Sequence, residues 1–106
     1  MLYSATLEPL AAGDLRAAFE WYEGQFDGLG REFLTAAEAA FSILEQSPEI
    51  YQPIYKNVRR APIKRFPFGL FYTIDDRNVH VIAVYHGRRD PDGWKERIYR
   101  VTSEQK

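Results

Sequence analysis

Two apolar runs, Phe68–Asp75 and Val79–His86, stand almost back to back and constrain the fold more than any other feature of the chain. Between them lies Asp75-Asp76-Arg77-Asn78, a cluster of turn-forming residues with room only for a hairpin. In the first run Phe68, Leu70, Tyr72 and Ile74 share one face. In the second, simple alternation sets His80, Ile82, Val84 and His86 opposite Val79, Val81, Ala83 and Tyr85. Both faces of both runs are largely apolar. A strand exposed on one side would alternate with polar residues, so this hairpin is expected at the centre of a sheet with at least one face under helices.

The segments before it supply those helices. Leu2 to Leu7 reads as a short first strand. Glu8-Pro9 then fits a helix start, because proline at the first helical position gives up an N–H that has no partner there anyway. Leu15, Phe19, Tyr22 and Phe26 recur at helical spacing and form the expected apolar stripe, with Asp14, Arg16, Glu20 and Glu23 mainly away from it. Asp27-Gly28 breaks this helix. A second helix is expected from Leu29 to Gln46, with Phe33, Ala37, Ala40 and Leu44 in one row, broadened by Leu34 and Phe41. The alanines at 36, 37, 39 and 40 favour helix and leave room for close approach in an antiparallel hairpin. Ser47-Pro48 ends it. Val58 to Ile63 is a further strand, which Pro62 pushes toward a sheet edge. Asp90-Pro91, with Trp94 and Ile98 four apart, predicts a short last helix. The expected order is β-α-α-β-β-β-α: an α+β fold with a two-helix hairpin packed on a small, mostly antiparallel sheet, one domain over residues 1–106.

Composition narrows what such a domain can do. The chain has no cysteine, and its two histidines, His80 and His86, make a poor ligand set, so neither a metal nor a cofactor is expected. No signal peptide or membrane-spanning run is recognisable, and a cytoplasmic protein without membrane partners is expected. The net charge of −1 conceals an asymmetry. Residues 1–50 carry nine acids against Arg16 and Arg31, a charge of −7, whereas residues 51–106 carry twelve Lys and Arg against six acids, a charge of +6. Either the second half meets an acidic partner or the halves attract each other on folding.

Several segments, taken in order, resemble the RelE/ParE toxin superfamily of bacterial type II toxin–antitoxin systems. They are Ala12-Gly13-Asp14-Leu15 and Trp21-Tyr22-Glu23; Gly28-Leu29-Gly30 with Phe33-Leu34; Val58-Arg59-Arg60-Ala61; Arg65-Phe66-Pro67-Phe68-Gly69-Leu70-Phe71-Tyr72; and His86-Gly87-Arg88-Arg89-Asp90-Pro91 followed by Trp94. The resemblance is closer to the ParE-like, plasmid-stabilisation branch and implies the same α+β fold. It also implies a cognate antitoxin that wraps an extended or helical segment across the chain. ParE-like members poison DNA gyrase, whereas RelE-like members cut messenger RNA on the ribosome without a metal. The oligomer is open between a homodimer and a toxin–antitoxin heterotetramer.

A metal-free ribonuclease needs a base, cations around the phosphorane and an acid. Carried over from RelE-like members, Arg60 matches a basic residue of the second strand and Arg89 the arginine of the fourth. The third-strand arginine falls on Gly69, and the C-terminal tyrosine near Trp94 or Lys95, so two roles are missing. If the chain is a nuclease, Arg60, Arg65, His86 and Arg89 are the catalytic candidates. The simpler reading of His86 is a strand end bonded to a carbonyl or water. Candidates for binding a target or an antitoxin are Lys56, Arg59, Arg60, Lys64, Arg65, Arg88, Arg89 and Trp94. Phe66, Phe68, Phe71, Tyr72 and Tyr85 are expected in the core, and Tyr51 and Tyr55 in an exposed loop. The resemblance thus favours a toxin that inhibits gyrase by binding, with a RelE-like nuclease or a non-toxic antitoxin-binding member as the alternatives.

Overall fold

The structure, a computed structural model, describes residues 2–87 together with 93, 95–97 and 99. Strand β1 (Ser4–Leu7) leads into helices α1 (Pro9–Gln25) and α2 (Leu29–Gln46). A 3-10 turn (Pro48–Ile50) is followed by β2 (Pro53–Tyr55), β3 (Val58–Pro62), β4 (Phe68–Asp75) and β5 (Asn78–His86). The sheet order is β1-β5-β4-β3-β2, with β1 parallel to β5 and every other pair antiparallel. The two-helix hairpin over a mostly antiparallel sheet is the α+β architecture expected. Residues 93, 95–97 and 99 are helical, in keeping with a last helix; the expected cap Asp90-Pro91 and the apolar pair Trp94 and Ile98 lie outside the described residues.

The helices cover one face of the sheet. Ala11, Ala18 and Tyr22 of α1, and Phe33, Ala37, Ala40 and Leu44 of α2, are buried against Phe68, Leu70, Tyr72, Val79, Val81 and Val84. Tyr22, Phe33, Phe66 and Phe68 pack ring against ring, with centroids 4.9 to 6.0 Å apart. Such aromatic pairs contribute about 0.5–1.5 kcal/mol each beyond their buried area. The α2 row is the one expected. The α1 stripe holds only in part: Tyr22 is buried and Leu15 packs against the core, but Phe19 is only partly buried, and Phe26 caps the helix with extended backbone and is 72% exposed.

The turn between the helices explains two of the glycines. Gly28 takes φ +90°, a region that side chains rarely adopt. Gly30 has no room for one, since a Cβ there would lie 2.8 Å from Phe19 Cδ1 and carbonyl oxygen. The Glu23 carboxylate holds the turn, accepting from Gly28 N–H at 2.9 Å and from Gly30 N–H at 3.0 Å.

Three strand expectations are corrected. First, β2 was not foreseen, because its apolar content is a single isoleucine between a proline and a tyrosine. It pairs with β3 at Arg59 and Val58, so β3 is a rim strand only at its Pro62 end, beyond the reach of β2. Second, Tyr51 packs on the core and Tyr55 belongs to β2, so neither is a free loop side chain. Third, β5 does not alternate throughout. Phe71 pairs with Ala83 and Tyr72 with Val81, which leaves Ile82 as the extra residue of a β-bulge. The bulge turns Ile82 and Ala83 onto the second face with Val58, Phe71 and Tyr85, and returns Val84 to the helix side.

Tyr72 joins both layers. It is fully buried and its hydroxyl donates to Pro48 O at 2.5 Å. Burial pushes the phenol up from 10.0 to about 12, against a smaller lowering by Arg59. The folded state thus favours the protonated phenol. Its contribution is whole below pH 10 and is lost as pH rises toward about 12, on the order of 2 kcal/mol in all. We expect urea unfolding of the wild type to show this alkaline loss and Tyr72→Phe to lack it. Gly30→Ala should cost about 1–3 kcal/mol in the same measurement, as an overpacked helix contact.

Candidate partner-binding surfaces

The basic residues that are contiguous in sequence do not converge in space. Arg59 faces the helix side, donating to Tyr51 O at 2.6 Å and Glu49 O at 3.4 Å. Arg65, at φ +74°, turns to α2 and pairs with Glu32 at 2.7 Å, its guanidinium 5.5 Å from the Phe66 ring. Lys56 sits at the β2–β3 turn over Tyr55. Only Arg60 goes to the second face, where its guanidinium lies 5.8 Å from the Phe71 ring. His86 faces the other way. It pairs in register with Phe68 and packs against that ring at 5.3 Å, on the helix side of the sheet. Among the nuclease candidates, then, Arg60, Arg65 and His86 occupy three different places. Arg88, Arg89 and Trp94 lie outside the described residues. Among the described residues no group of three His, Cys, Asp or Glu side chains is arranged to hold a metal ion.

Part of the charge asymmetry is used internally. Glu8 approaches His80 at 3.6 Å, and the ion pairs Glu32–Arg65 and Asp14–Arg97, each at 2.7 Å, join the acidic half to the basic half. The last of these was missed in the sequence. Asp14 lies three residues after Ala11 and four before Ala18, both buried, so the same helical spacing that places those alanines turns Asp14 inward. Its Oδ2 accepts from Val84 N–H at 3.0 Å, and Arg97 grips both carboxylate oxygens at 2.7 and 3.0 Å while donating to Ile82 O at 3.2 Å. The bond to Asp14 holds the Arg97 pKa above its ordinary value against the opposing effect of burial.

Two concave surfaces flank the helices. A cleft of about 450 Å³ runs along the outer side of α2 from Arg31 to Ile43. At 1.5 Å per residue that is about 18 Å of helix. Its floor is Thr35, Ala36, Ala39 and Ala40, with Tyr51 and Pro62 opposite, and Arg31, Glu32, Lys64 and Arg65 gather toward one end. A second, shallower depression lies between Asp14, Ala17 and Trp21 of α1 and Val84 to His86 of β5. The expected binding residues Lys64 and Arg65 border the α2 cleft; Lys56, Arg59 and Arg60 do not line either surface.

Two helices laid on one face of a five-stranded, mostly antiparallel sheet define the ParE/RelE fold. A chain of the toxin–antitoxin complex of the chromosomal ParDE system from P. aeruginosa superimposes with a TM-score of 0.69 at 17% identity, covering 80% of this chain and 96% of that one. The toxin–antitoxin complex RelBE2 from Mycobacterium tuberculosis gives 0.58 at 23% identity, covering 81% and 99%. The chain belongs to the family of ParE toxins of the type II toxin–antitoxin system parDE, whose family model matches residues 6–91. Toxin ParE2 of Mycobacterium tuberculosis is 26% identical over 92 residues, 86% of this chain and 88% of the relative. No helix among the described residues is long and apolar enough to cross a membrane.

The Asp14–Arg97 pair is shielded on both sides, with side-chain exposures of 15% and 12%. Removing one partner leaves the other charged and unpaired, so Asp14→Ala should cost about 3–5 kcal/mol in urea unfolding. Adding Arg97→Met to that variant should recover a large part of the loss.

Proposed function

We propose that this ParE-type toxin acts by binding DNA gyrase, with no bond-breaking chemistry of its own, in the cytoplasm. The observation that carries the reading is the dispersal of Arg60, Arg65 and His86 to separate surfaces. General acid–base cleavage of RNA requires its base, acid and cations within reach of one phosphate. Arg65 is further committed to Glu32, and His86 to the Phe68 ring on the opposite face from Arg60. Gyrase as the target comes from membership of the ParE family.

We infer further that a cognate antitoxin docks in the α2 cleft. Alanine and threonine give it a shallow apolar floor that suits the apolar side of a helix or extended segment, in the manner of helix-in-groove recognition. Arg31 and Lys64 would complement acidic residues at one end of that segment.

Induced expression separates the alternatives. Gyrase poisoning predicts double-strand breaks and filamentous cells that continue to translate. Arrested translation with cleaved messages would instead establish a ribonuclease, and unimpaired growth would remove both toxin readings. Co-expression of the cognate antitoxin should restore growth. Ala39→Glu, an exposed change on the cleft floor, should leave the growth arrest intact and abolish that rescue. Rescue that survives Ala39→Glu would move the antitoxin elsewhere.

A further inference from the structure

We propose that Arg60 is the anchor of a carboxylate-recognition site on the second face of the sheet, receiving an acidic side chain from a protein partner. The inference names the chemistry of a contact. It depends on the toxin reading above only for its biological consequence.

The side chain lies in a trough made by missing side chains. Arg60 is on β3, and its neighbour across the ladder is Phe71. A Cβ added at Gly69, on β4, would fall 2.5 Å from Arg60 Nε and 2.7 Å from Cζ. A Cβ at Gly87, just past β5, would fall 3.6 Å from Nη2. The guanidinium therefore lies flat across the backbone of β4, with a terminal nitrogen directed at the end of β5. Glycine inside a central strand weakens the sheet and is retained where something must approach the backbone closely. Here that group is the Arg60 side chain.

Its electrostatic situation differs from that of the other described arginines, among which Arg31 is exposed to solvent. Arg16, Arg59, Arg65, Arg77 and Arg97 each bond a carboxylate or a carbonyl. No hydrogen bond or ion pair joins Arg60 to any described residue; its neighbours are the Phe71 ring and two glycines. It is partly buried, and that burial alone draws its pKa down. A cation that has lost part of its hydration without gaining a counter-ion is costly, and an anion that arrives there recovers the loss. The planar guanidinium fork matches a carboxylate through two parallel hydrogen bonds.

A carboxylate fits better than a nucleic-acid backbone. A phosphate track needs several cations acting together. On this face Arg60 stacks on Phe71, at the border of a buried cluster of Val58, Phe71, Ile82 and Ala83 with Tyr85 packed against it. Of its basic neighbours in sequence, Arg59 and Arg65 point elsewhere and are already bonded, Lys56 lies over Tyr55 and Lys64 borders the α2 cleft. Among the described residues the other arginine against this face, Arg97 over the Tyr85 ring, is already bonded to Asp14, which leaves Arg60 to receive a single carboxylate.

The test follows the Nε–H resonance of Arg60 by NMR in the purified chain, assigned by its loss in Arg60→Lys. Titration with sodium acetate at constant ionic strength should shift that resonance saturably, while sodium chloride should not. Gly69→Ala keeps Arg60 but fills the trough. It should weaken the acetate response about tenfold or more, the equivalent of one charge-assisted hydrogen bond. Its thermal unfolding curve establishes that the variant is folded; if it is not, Arg60→Lys supplies the comparison, and acetate should then shift no other arginine Nε–H in its place. Absence of a saturable shift overturns the proposal. So does a response to a short single-stranded RNA without one to acetate, which would assign the site to nucleic acid. None of these readings requires the chain to arrest growth, so failure of the toxin reading and failure of this site are separately visible.

Discussion

Strand β5 is the longest in the sheet, yet its outer partner β1 runs beside only its first half. Everything on that side of the molecule answers to this mismatch. Where β1 stops, Glu8 N–H reaches Val81 O, Arg97 takes Ile82 O and Asp14 takes Val84 N–H. Backbone groups that would otherwise stay open as a strand template are thus closed by the main chain at Glu8 and by side chains from a helix and from the C-terminal region. The bulge at Ile82 falls at the same point. It turns an apolar pair onto the second face and sends Val84 back to the helices. One local irregularity therefore sets both what α1 packs on and what the second face presents.

The parts of the fold legible in the sequence were those governed by long, uninterrupted periods. The bounds of α2, the β4–β5 hairpin and the Phe33-Ala37-Ala40-Leu44 row follow from repeated spacing with clear stops at Gly28 and Ser47-Pro48. What escaped was decided by single residues in tertiary context. The Ile82 bulge leaves no mark in an apolar run, because Val-Ile-Ala-Val reads the same with or without it. Strand β2 is held by pairing to β3, not by its own pattern. Asp14 was placed mainly away from the apolar stripe, although its spacing from Ala11 and Ala18 put it on the buried flank. For the candidate site, the basic residue types were visible and their directions were not. Arg59 and Arg60 are adjacent, so strand geometry alone sends them to opposite faces. The left-handed backbone at Arg65, which turns it to Glu32, has no sequence signature.

This dispersal gives the second half of the chain a different meaning from the one its charge suggests. A charge of +6 reads as a surface for a polyanion. Three of that half's arginines, Arg65, Arg97 and Arg59, are spent within the molecule, on Glu32, Asp14 and the carbonyls around the 3-10 turn. Gly69 fits this picture. Where the resemblance to nucleases requires an arginine rising from the third strand, the space above the backbone is filled sideways by Arg60 from the neighbouring strand.

The alanine floor of the α2 cleft has a consequence for whatever covers it. Burying a lysine, glutamine or methionine freezes rotamers at a cost of roughly 1.5–2 kcal/mol, whereas alanine has none to freeze. Thr35, Ala36, Ala39 and Ala40 together leave a surface already as ordered when bare as when covered. A partner segment that folds upon contact must meet its own ordering cost in full. On the toxin's side the alanine floor adds almost nothing, and the cost of ordering falls instead on the long side chains at the charged end of the cleft, Arg31 and Lys64.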